Sequence, residues 1–147
     1  MFDFTEDKKH AKSSWITKST NSLADSSIKK PWGHEIAWGG FNGIHGKILF
    51  IRAGHSTSLK FHNLKSEVLF LRIGEATVTH GDERVFSDPL AHPFKIEKME
   101  AGDTFLVQSG CPYKIRADSD CEIVEIGNYK TDKPVRIEDD YGRVGKL

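Results

Sequence analysis

The chain has 147 residues, of which 37% are hydrophobic and 29% are charged. This balance suits a single domain with one core and excludes a fully disordered chain. Its 21 basic and 21 acidic residues give a net charge of zero, which excludes the strong positive field of a general nucleic-acid binder. The sequence lacks both an apolar run long enough to span a membrane and the pattern of a secretory signal. We expect a cytoplasmic protein without a nucleic-acid or membrane partner, in which Cys111 and Cys121 are reduced thiols.

The first thirty residues differ from the rest of the chain. They contain six serines and six lysines, and their apolar residues follow no steady period. Such a composition predicts a flexible N-terminal arm over residues 1–29, followed by a domain over residues 30–147. The alternative is an arm that becomes ordered on a partner subunit, with Trp15-Ile16 as its anchor.

The remainder of the chain reads as β structure. Short runs rich in β-branched and aromatic residues are separated by Gly, Asp, Pro and Ser, and no window shows the apolar spacing of a helix. Many short strands at this spacing predict an all-β sandwich or barrel. The predicted strands are His34–Trp38, Lys47–Arg52, Ser56–His62, Glu67–Ile73, Ala76–His80, Glu83–Phe86, Phe94–Met99, Thr104–Val107, Tyr113–Ala117 and Cys121–Tyr129.

Two features predict that the domain pairs with a second copy of itself. The strand Lys47–Arg52 is apolar on both faces, so both faces are expected to be covered. Strict alternation also places Leu59, Phe61 and Phe70 on outward faces. One cover is then another subunit, and we expect a homodimer.

Polar side chains gather on the inner surface predicted for residues 56–73. Lys60 and His62 share one strand face because side chains alternate, and Glu67 opens the next strand after a four-residue loop. Burying an ammonium, an imidazole and a carboxylate is unfavourable unless they meet a metal, a ligand or each other. A barrel of about this many strands can enclose one small ligand.

The spacing of these residues resembles the two motifs of the cupin superfamily. The first cupin motif is Gly, five residues, His, one residue, His, three or four residues, Glu, six residues, Gly. The second is Gly, five residues, Pro, one residue, Gly, two residues, His. The matching positions here are Gly54, Lys60, His62, Glu67 and Gly74, then Gly102, Gln108, Gly110 and Tyr113, with 27 residues between the motifs. The resemblance implies a single cupin domain, an antiparallel jelly-roll β-barrel.

A narrower resemblance concerns the two ends of the domain. The opening Lys30-Pro31-Trp32-Gly33 and the ending from Arg136 to Tyr141-Gly142-Arg143 are similar to the mannose-6-phosphate isomerase type II family, in its C-terminal cupin domain. This resemblance implies an isomerase or epimerase acting on a phosphorylated or nucleotide-linked sugar. It also implies a small-molecule partner, either a sugar or a sugar phosphate.

The metal site of that family falls on four positions of this chain: Lys60, His62, Glu67 and Tyr113. Only His62 and Glu67 are good metal ligands, because an ammonium has no lone pair and a phenol is protonated near neutral pH. A divalent metal on these two residues remains an open alternative. The charge pattern favours a metal-free pocket in which Lys60 stands in the place of the metal and pairs with Glu67.

If the isomerase chemistry is retained, the resemblance suggests a role for each residue. His62 or Glu67 serves as the base, Tyr113 as the acid and Lys60 as the stabiliser of the oxyanion. Further residues are candidates for contact with substrate or are expected at the surface. Arg136 either holds phosphate or is solvated or paired with nearby acids, and Trp32 either packs in the core or stacks on a sugar. His34, His45 and His10 are expected at the surface.

A second function remains open on the same residues. The two non-ligand positions are also consistent with a non-catalytic module that binds a carbohydrate or another small molecule at a degenerate metal site, since fold likeness does not carry activity with it. A metal-dependent oxygenase is disfavoured, because the motif does not supply a His-rich triad with open positions.

Overall fold

Two antiparallel sheets of short strands face each other across the core. The structure is a computed structural model, and it describes residues 12–18, 27–129 and 132–145. These residues contain no helix, which confirms the all-β prediction. The strands are β1 (Ser27–Lys30), β2 (Gly33–Phe41), β3 (Ile44–Ile51), β4 (Leu59–Phe61), β5 (Glu67–Ile73), β6 (Glu75–His80), β7 (Lys95–Glu100), β8 (Thr104–Val107), β9 (Tyr113–Ala117), β10 (Cys121–Gly127) and β11 (Val135–Glu138).

One sheet has six strands in the order β1-β2-β3-β10-β5-β8, and the other has five in the order β11-β4-β9-β6-β7. The inner faces carry the apolar core, because alternate residues of each strand point the same way. In β5 this face holds Leu69 and Leu71, and in β9 it holds Ile115 and Ala117, all at most 1% exposed. The polar residues Lys60, His62, Glu67 and Tyr113 lie at one end of this core.

Two strands were not predicted from the sequence. Strand β1 pairs with β2 and begins at Ser27, inside the segment interpreted as an arm. Strand β11 pairs with β4 and sets Arg136 opposite Lys60. Of the arm itself, residues 1–11 and 19–26 lie outside the described residues. Residues 12–18 are exposed, and the Trp15 ring meets the Phe41 ring edge-on at 5.1 Å.

The predicted strand Glu83–Phe86 is wrong, since these residues form turns. Asp82 accepts a hydrogen bond from the Arg84 backbone N–H at 2.7 Å, and the Val85 N–H donates to the Asp82 carbonyl oxygen at 3.2 Å. An aspartate that bonds the backbone two residues ahead stabilises a turn rather than a ladder. Local turn chemistry therefore outweighs the apolar content of this run.

The predicted strand Ser56–His62 is shorter than expected. Only Leu59–Phe61 forms a strand, with an isolated bridge between Ser56 and Arg116. Because residues 57 and 58 lack strand geometry, alternation does not separate two faces here. Leu59, expected to point outward, is only 6% exposed. That part of the prediction is wrong.

The outer face of the six-stranded sheet is apolar. Cross-strand register places Phe70 beside Val124, and Val68 beside Ile126. Phe70, Val68 and Ile126 are between 39% and 44% exposed. In β3, Leu49 and Ile51 are buried, while the opposite face is half-buried. Strand β3 is thus covered on its inner face, and its outer face belongs to this apolar surface.

The described part of the chain includes no helix with the length and apolarity that a membrane span requires.

Candidate functional site

A polar cavity of about 310 Å³ opens at one end of the core between the two sheets. The four residues at the metal positions of the family, Lys60, His62, Glu67 and Tyr113, line it, as do Trp32 and Arg136. Lys60 comes from β4 and faces Tyr113 of β9 in the antiparallel register, while Glu67 opens β5. The packing of the two sheets brings Glu67 and Tyr113 together, although they lie 46 positions apart in the chain.

The carboxylate of Glu67 is the centre of the contacts in this cavity. The Tyr113 hydroxyl donates a hydrogen bond to Glu67 Oε1 at 2.9 Å, and His62 Nε2 lies 3.6 Å from the same oxygen. Lys60 Nζ lies 4.5 Å from the centroid of the Tyr113 ring, a cation–π geometry. Glu67 and Tyr113 are 4% and 2% exposed, so their contacts lie in a poorly hydrated environment.

The expected pairing of Lys60 with Glu67 is not what the structure shows. It is Lys65 whose Nζ lies 3.4 Å from Glu67 Oε2 and 3.6 Å from Glu125 Oε2. Sequence reasoning missed Lys65 because it lies in the loop between β4 and β5, where no periodicity assigns a direction. The sequence did contain a signal for Glu125, which shares one face of its strand with the core residue Ile123.

His45 was also placed wrongly by the sequence analysis. It is 3% exposed, and its Nε2 lies 3.3 Å from Glu125 Oε2. Burying Glu125 requires a partner, and His45 from β3 supplies one across the β3–β10 pair. A polar network thus runs from Tyr113 through Glu67 and Glu125 to His45. Its members come from four different strands.

Burial shifts the proton affinities of these groups. Desolvation and the neighbouring charge of Glu125 raise the pKa of Glu67 to about 7. Desolvation lowers the pKa of Lys60 to about 8, against the opposing effect of Glu67. Burial also raises the pKa of the Tyr113 hydroxyl well above its usual value. Near neutral pH, Glu67 therefore exchanges a proton readily while Tyr113 keeps its own.

His62 is a buried histidine that remains neutral. Desolvation, followed by the charges of Lys65 and Lys60, lowers its pKa to about 4. The unfolded chain, with an ordinary histidine pKa near 6.5, binds a proton that the folded chain rejects between these two values. The free energy of unfolding therefore falls as the pH drops from about 6.5 to about 4, and His62 accounts for about 3 kcal/mol of that fall.

This prediction is measured by urea unfolding at pH 7 and pH 4, in the unaltered protein and in His62→Gln. The variant cannot take up this proton, so its loss of stability between the two pH values should be smaller. An equal loss in both proteins would show that other groups control the acid sensitivity.

Arg136 and Trp32 hold different positions on the cavity wall. Trp32 is 5% exposed and packs in the hydrophobic core, and it also lines the cavity. Arg136 is half-buried beside Arg143, and Arg143 forms two hydrogen bonds to Asp139 at 2.9 and 3.0 Å. Arg143 is therefore held by a carboxylate, with Arg136 next to it at the cavity wall.

The charges on the wall are unbalanced. Among the described residues, seven basic side chains line the cavity against four acidic ones. The basic residues are Lys30, Lys47, Lys60, Lys65, Lys133, Arg136 and Arg143, and the acidic ones are Glu35, Glu67, Glu125 and Asp132. In a chain without net charge, this excess concentrates positive potential at the cavity and favours an anionic ligand.

The residues at the four family positions do not fit a divalent metal. Tyr113 is a neutral phenol that donates to Glu67, and Lys60 presents an ammonium group. Oε2 of Glu67 is already paired with Lys65. Within residues 12–18, 27–129 and 132–145, no three His, Cys, Asp or Glu side chains are arranged to hold an ion. Lone pairs for coordination are too few at this place.

Comparisons with known proteins bear on the fold. No family model and no curated protein matches the chain, but solved structures do. An oxalate decarboxylase variant from Bacillus subtilis matches with a TM-score of 0.63 and 17% identity, covering 81% of this chain and 31% of its own. KdgF from a Halomonas species matches with a TM-score of 0.59 and 9% identity, covering 71% of this chain and 87% of its own.

A vicilin from Solanum melongena, described as having different anionic ligands in structurally similar pockets, matches with a TM-score of 0.55 and 15% identity, covering 66% of this chain and 26% of its own. This chain spans about a third of the length of the oxalate decarboxylase that it matches. At 17% identity or less, these three matches establish the fold alone. The likeness to the mannose-6-phosphate isomerase type stays a prediction. With its two facing antiparallel sheets, this chain has the cupin fold.

Proposed function

We propose that this protein is an isomerase or epimerase of a phosphorylated or nucleotide-linked sugar, similar in activity to mannose-6-phosphate isomerase, with residues of the chain in place of a metal. The observation that carries the proposal is the polar cavity itself. It combines a positive wall, which suits phosphate, with a buried Tyr113–Glu67 pair, which suits proton transfer. Both properties are needed to move a proton between adjacent carbons of a sugar phosphate.

The positive wall supports an anionic substrate. Arg136 lies beside Lys60 in the β4–β11 pair and both line the cavity, so a phosphate held by the guanidinium would lie close to the Lys60 ammonium. Among proteins of the same fold, the vicilin holds anionic ligands in its pockets, and oxalate decarboxylase is named for an anion. These neighbours support the chemical class of the ligand and do not identify the sugar.

The Tyr113–Glu67 pair supports the proton transfer. The Glu67 carboxylate removes the proton from the hydroxyl-bearing carbon next to the carbonyl, while the Tyr113 hydroxyl turns from Glu67 to donate its hydrogen bond to the reacting oxygen. Negative charge that develops on the enediolate faces the Lys60 ammonium. Return of the proton from Glu67 to the neighbouring carbon, with transfer of the hydroxyl proton to the former carbonyl oxygen, gives the isomer. An epimer would require a second acid on the opposite face of the same carbon. His62 is the weaker base near neutral pH, because its pKa is about 4 while that of Glu67 is about 7.

Two measurements test the function. Melting temperature with mannose-6-phosphate, fructose-6-phosphate and nucleotide sugars, compared with unphosphorylated mannose, tests the ligand class. Proton NMR in D₂O then tests the reaction, because an enediolate intermediate exchanges the transferred hydrogen with solvent. We expect stabilisation by the phosphorylated compounds and deuterium incorporation next to the carbonyl carbon. Stabilisation by none of them would contradict the proposal.

A non-catalytic binding module is the second candidate, and the presence of Lys60 and Tyr113 at metal-ligand positions favours it. The same cavity then holds the anion without turning it over. Binding of sugar phosphates with no deuterium incorporation over many hours would establish this second candidate.

We also propose that the protein is a homodimer that associates through the apolar outer face of the six-stranded sheet. Phe70 lies on this face at the middle of β5, beside Val124 of β10, and is 39% exposed. Replacing Phe70 by glutamate should convert a dimer into a monomer, because a charge buried at an apolar interface is unfavourable. Light scattering coupled to size-exclusion chromatography measures this. Phe86→Glu, a change of an exposed phenylalanine on a turn, is the control and should leave the mass unchanged.

A further inference from the structure

We propose that Lys65 is the built-in cation of the polar cavity. Its ammonium group takes over the charge-balancing role that the family resemblance assigns to a divalent metal, and it leaves Lys60 for the ligand. The inference does not depend on which sugar binds, or on whether the protein is an enzyme. It rests on how the acidic groups of the cavity are paired.

The geometry gives Lys65 two carboxylates at once. Its Nζ lies 3.4 Å from Glu67 Oε2 and 3.6 Å from Glu125 Oε2, and its side chain is only 8% exposed. Two carboxyl groups this close to each other and this deeply buried repel unless a cation or a shared proton separates them. Lys65 is the cation that faces both of them.

The chain is shaped to hold Lys65 at this place. The backbone N–H groups of Leu64 and Lys65 donate to Asp132 Oδ2 at 2.8 and 3.0 Å, which fixes the loop. At Gly127, a Cβ atom would lie 3.0 Å from Lys65 Cε and 2.7 Å from His45 Cε1. Glycine at this position therefore lets the lysine stem and the imidazole approach the β10 backbone. Both the loop and the sheet accommodate the ammonium.

Lys60 differs from Lys65 in this respect. Within the described residues, no carboxylate oxygen lies within 4 Å of Lys60 Nζ, which instead faces the Tyr113 ring. Its ammonium donors are directed to no acceptor of the described chain. Lys65 therefore neutralises Glu67 and Glu125, and the Lys60 ammonium is available to bind an oxygen of the ligand.

The test is rescue by an added cation. Lys65→Ala removes the ammonium and leaves a space between Glu67 and Glu125 that either Mn²⁺ or methylammonium can occupy. We expect MnCl₂ or methylammonium chloride at millimolar concentration to raise the melting temperature of this variant by about 5 °C. The unaltered protein should show no such rise. Lys47→Ala is the matched control, because Lys47 also lines the cavity and pairs with a carboxylate, Glu35, at 3.1 Å.

Three results would overturn the proposal. They are a Lys65→Ala protein that responds to neither cation, an equal response in Lys47→Ala, and stoichiometric Mn²⁺ binding by the unaltered protein. If Lys65→Ala does not fold alone, it should refold when either cation is present, and failure to do so also contradicts the proposal. None of these readouts uses a sugar phosphate, so they stand or fall separately from the proposed function.

Discussion

Replacing Glu67 by glutamine is expected to lower the rate of deuterium incorporation into the substrate by about a thousandfold. The amide keeps the size of the side chain and an oxygen that can accept the Tyr113 hydroxyl, which is 2.9 Å from Glu67 Oε1. It removes the group that takes the proton, so binding should change much less than turnover. Exchange measured by proton NMR, together with substrate-induced thermal stabilisation, separates the two effects.

Glu35→Gln is the matched control for this experiment. Glu35 also lines the cavity and is 6% exposed, but its carboxylate is paired with Lys47 and Lys30 rather than with Tyr113. Its replacement should leave the exchange rate within a few-fold of the unaltered protein. An equal loss in both variants would show that the cavity needs its overall charge and not a base at Glu67.

Replacing Gly33 by alanine is expected to destabilise the fold by about 3 kcal/mol or more. A Cβ atom at Gly33 would overlap the carbonyl oxygen of Phe50 in the neighbouring strand β3, and backbone cannot move aside as the end of a flexible side chain does. Strands β2 and β3 would have to separate at Gly33↔Ile51 to relieve the contact. Urea unfolding measures the change in the free energy of unfolding.

Gly39→Ala is the control in the same strand. A Cβ atom there meets nothing within 4 Å, so the substitution should change the free energy of unfolding little. If Gly33→Ala were as stable as Gly39→Ala, the close approach of β2 and β3 would not be a constraint on the fold.

The sequence predicted four of the residues that line the cavity. Alternation with a period of two predicted that Lys60 and His62 lie together, with Glu67 at the start of the next strand. The observed strand ends at Phe61, but both side chains line the cavity. The motif spacing added Tyr113 to this set, and all four residues line the same cavity. Such patterns are local or depend on fixed spacing, so the sequence contains them directly.

The partners of these residues could not be read from the same patterns. Lys65 lies in a loop, where the direction of a side chain depends on hydrogen bonds to Asp132, 67 residues further along the chain. Glu125 and His45 meet because β10 pairs with β3, an order of strands that no local periodicity encodes. The expected Lys60–Glu67 pair did not form, because the loop before β5 places the Lys65 ammonium closer to the Glu67 carboxylate.

Local turn chemistry and sheet register explain the remaining differences. The residues from Glu83 to Phe86 form turns because the Asp82 side chain accepts a hydrogen bond from the Arg84 backbone N–H. This local turn signal was overlooked because the run contains apolar residues. Strand β11 forms because Arg136 and its neighbours pair with β4, and only the completed sheet provides that edge. The alignment of Arg136 with Lys60 follows from this pairing.

By itself, the sequence determined that the chain is all-β, where most strands lie, and that Lys60, His62, Glu67 and Tyr113 belong to one site, because turn residues, strand patterns and motif spacing are read directly from the chain. The tertiary structure alone decided which cation balances Glu67, that Glu125 and His45 are buried behind it, and that positive side chains outnumber negative ones around the cavity. These properties depend on distances between residues far apart in the chain, and only the pairing of strands and the packing of loops fixes those distances.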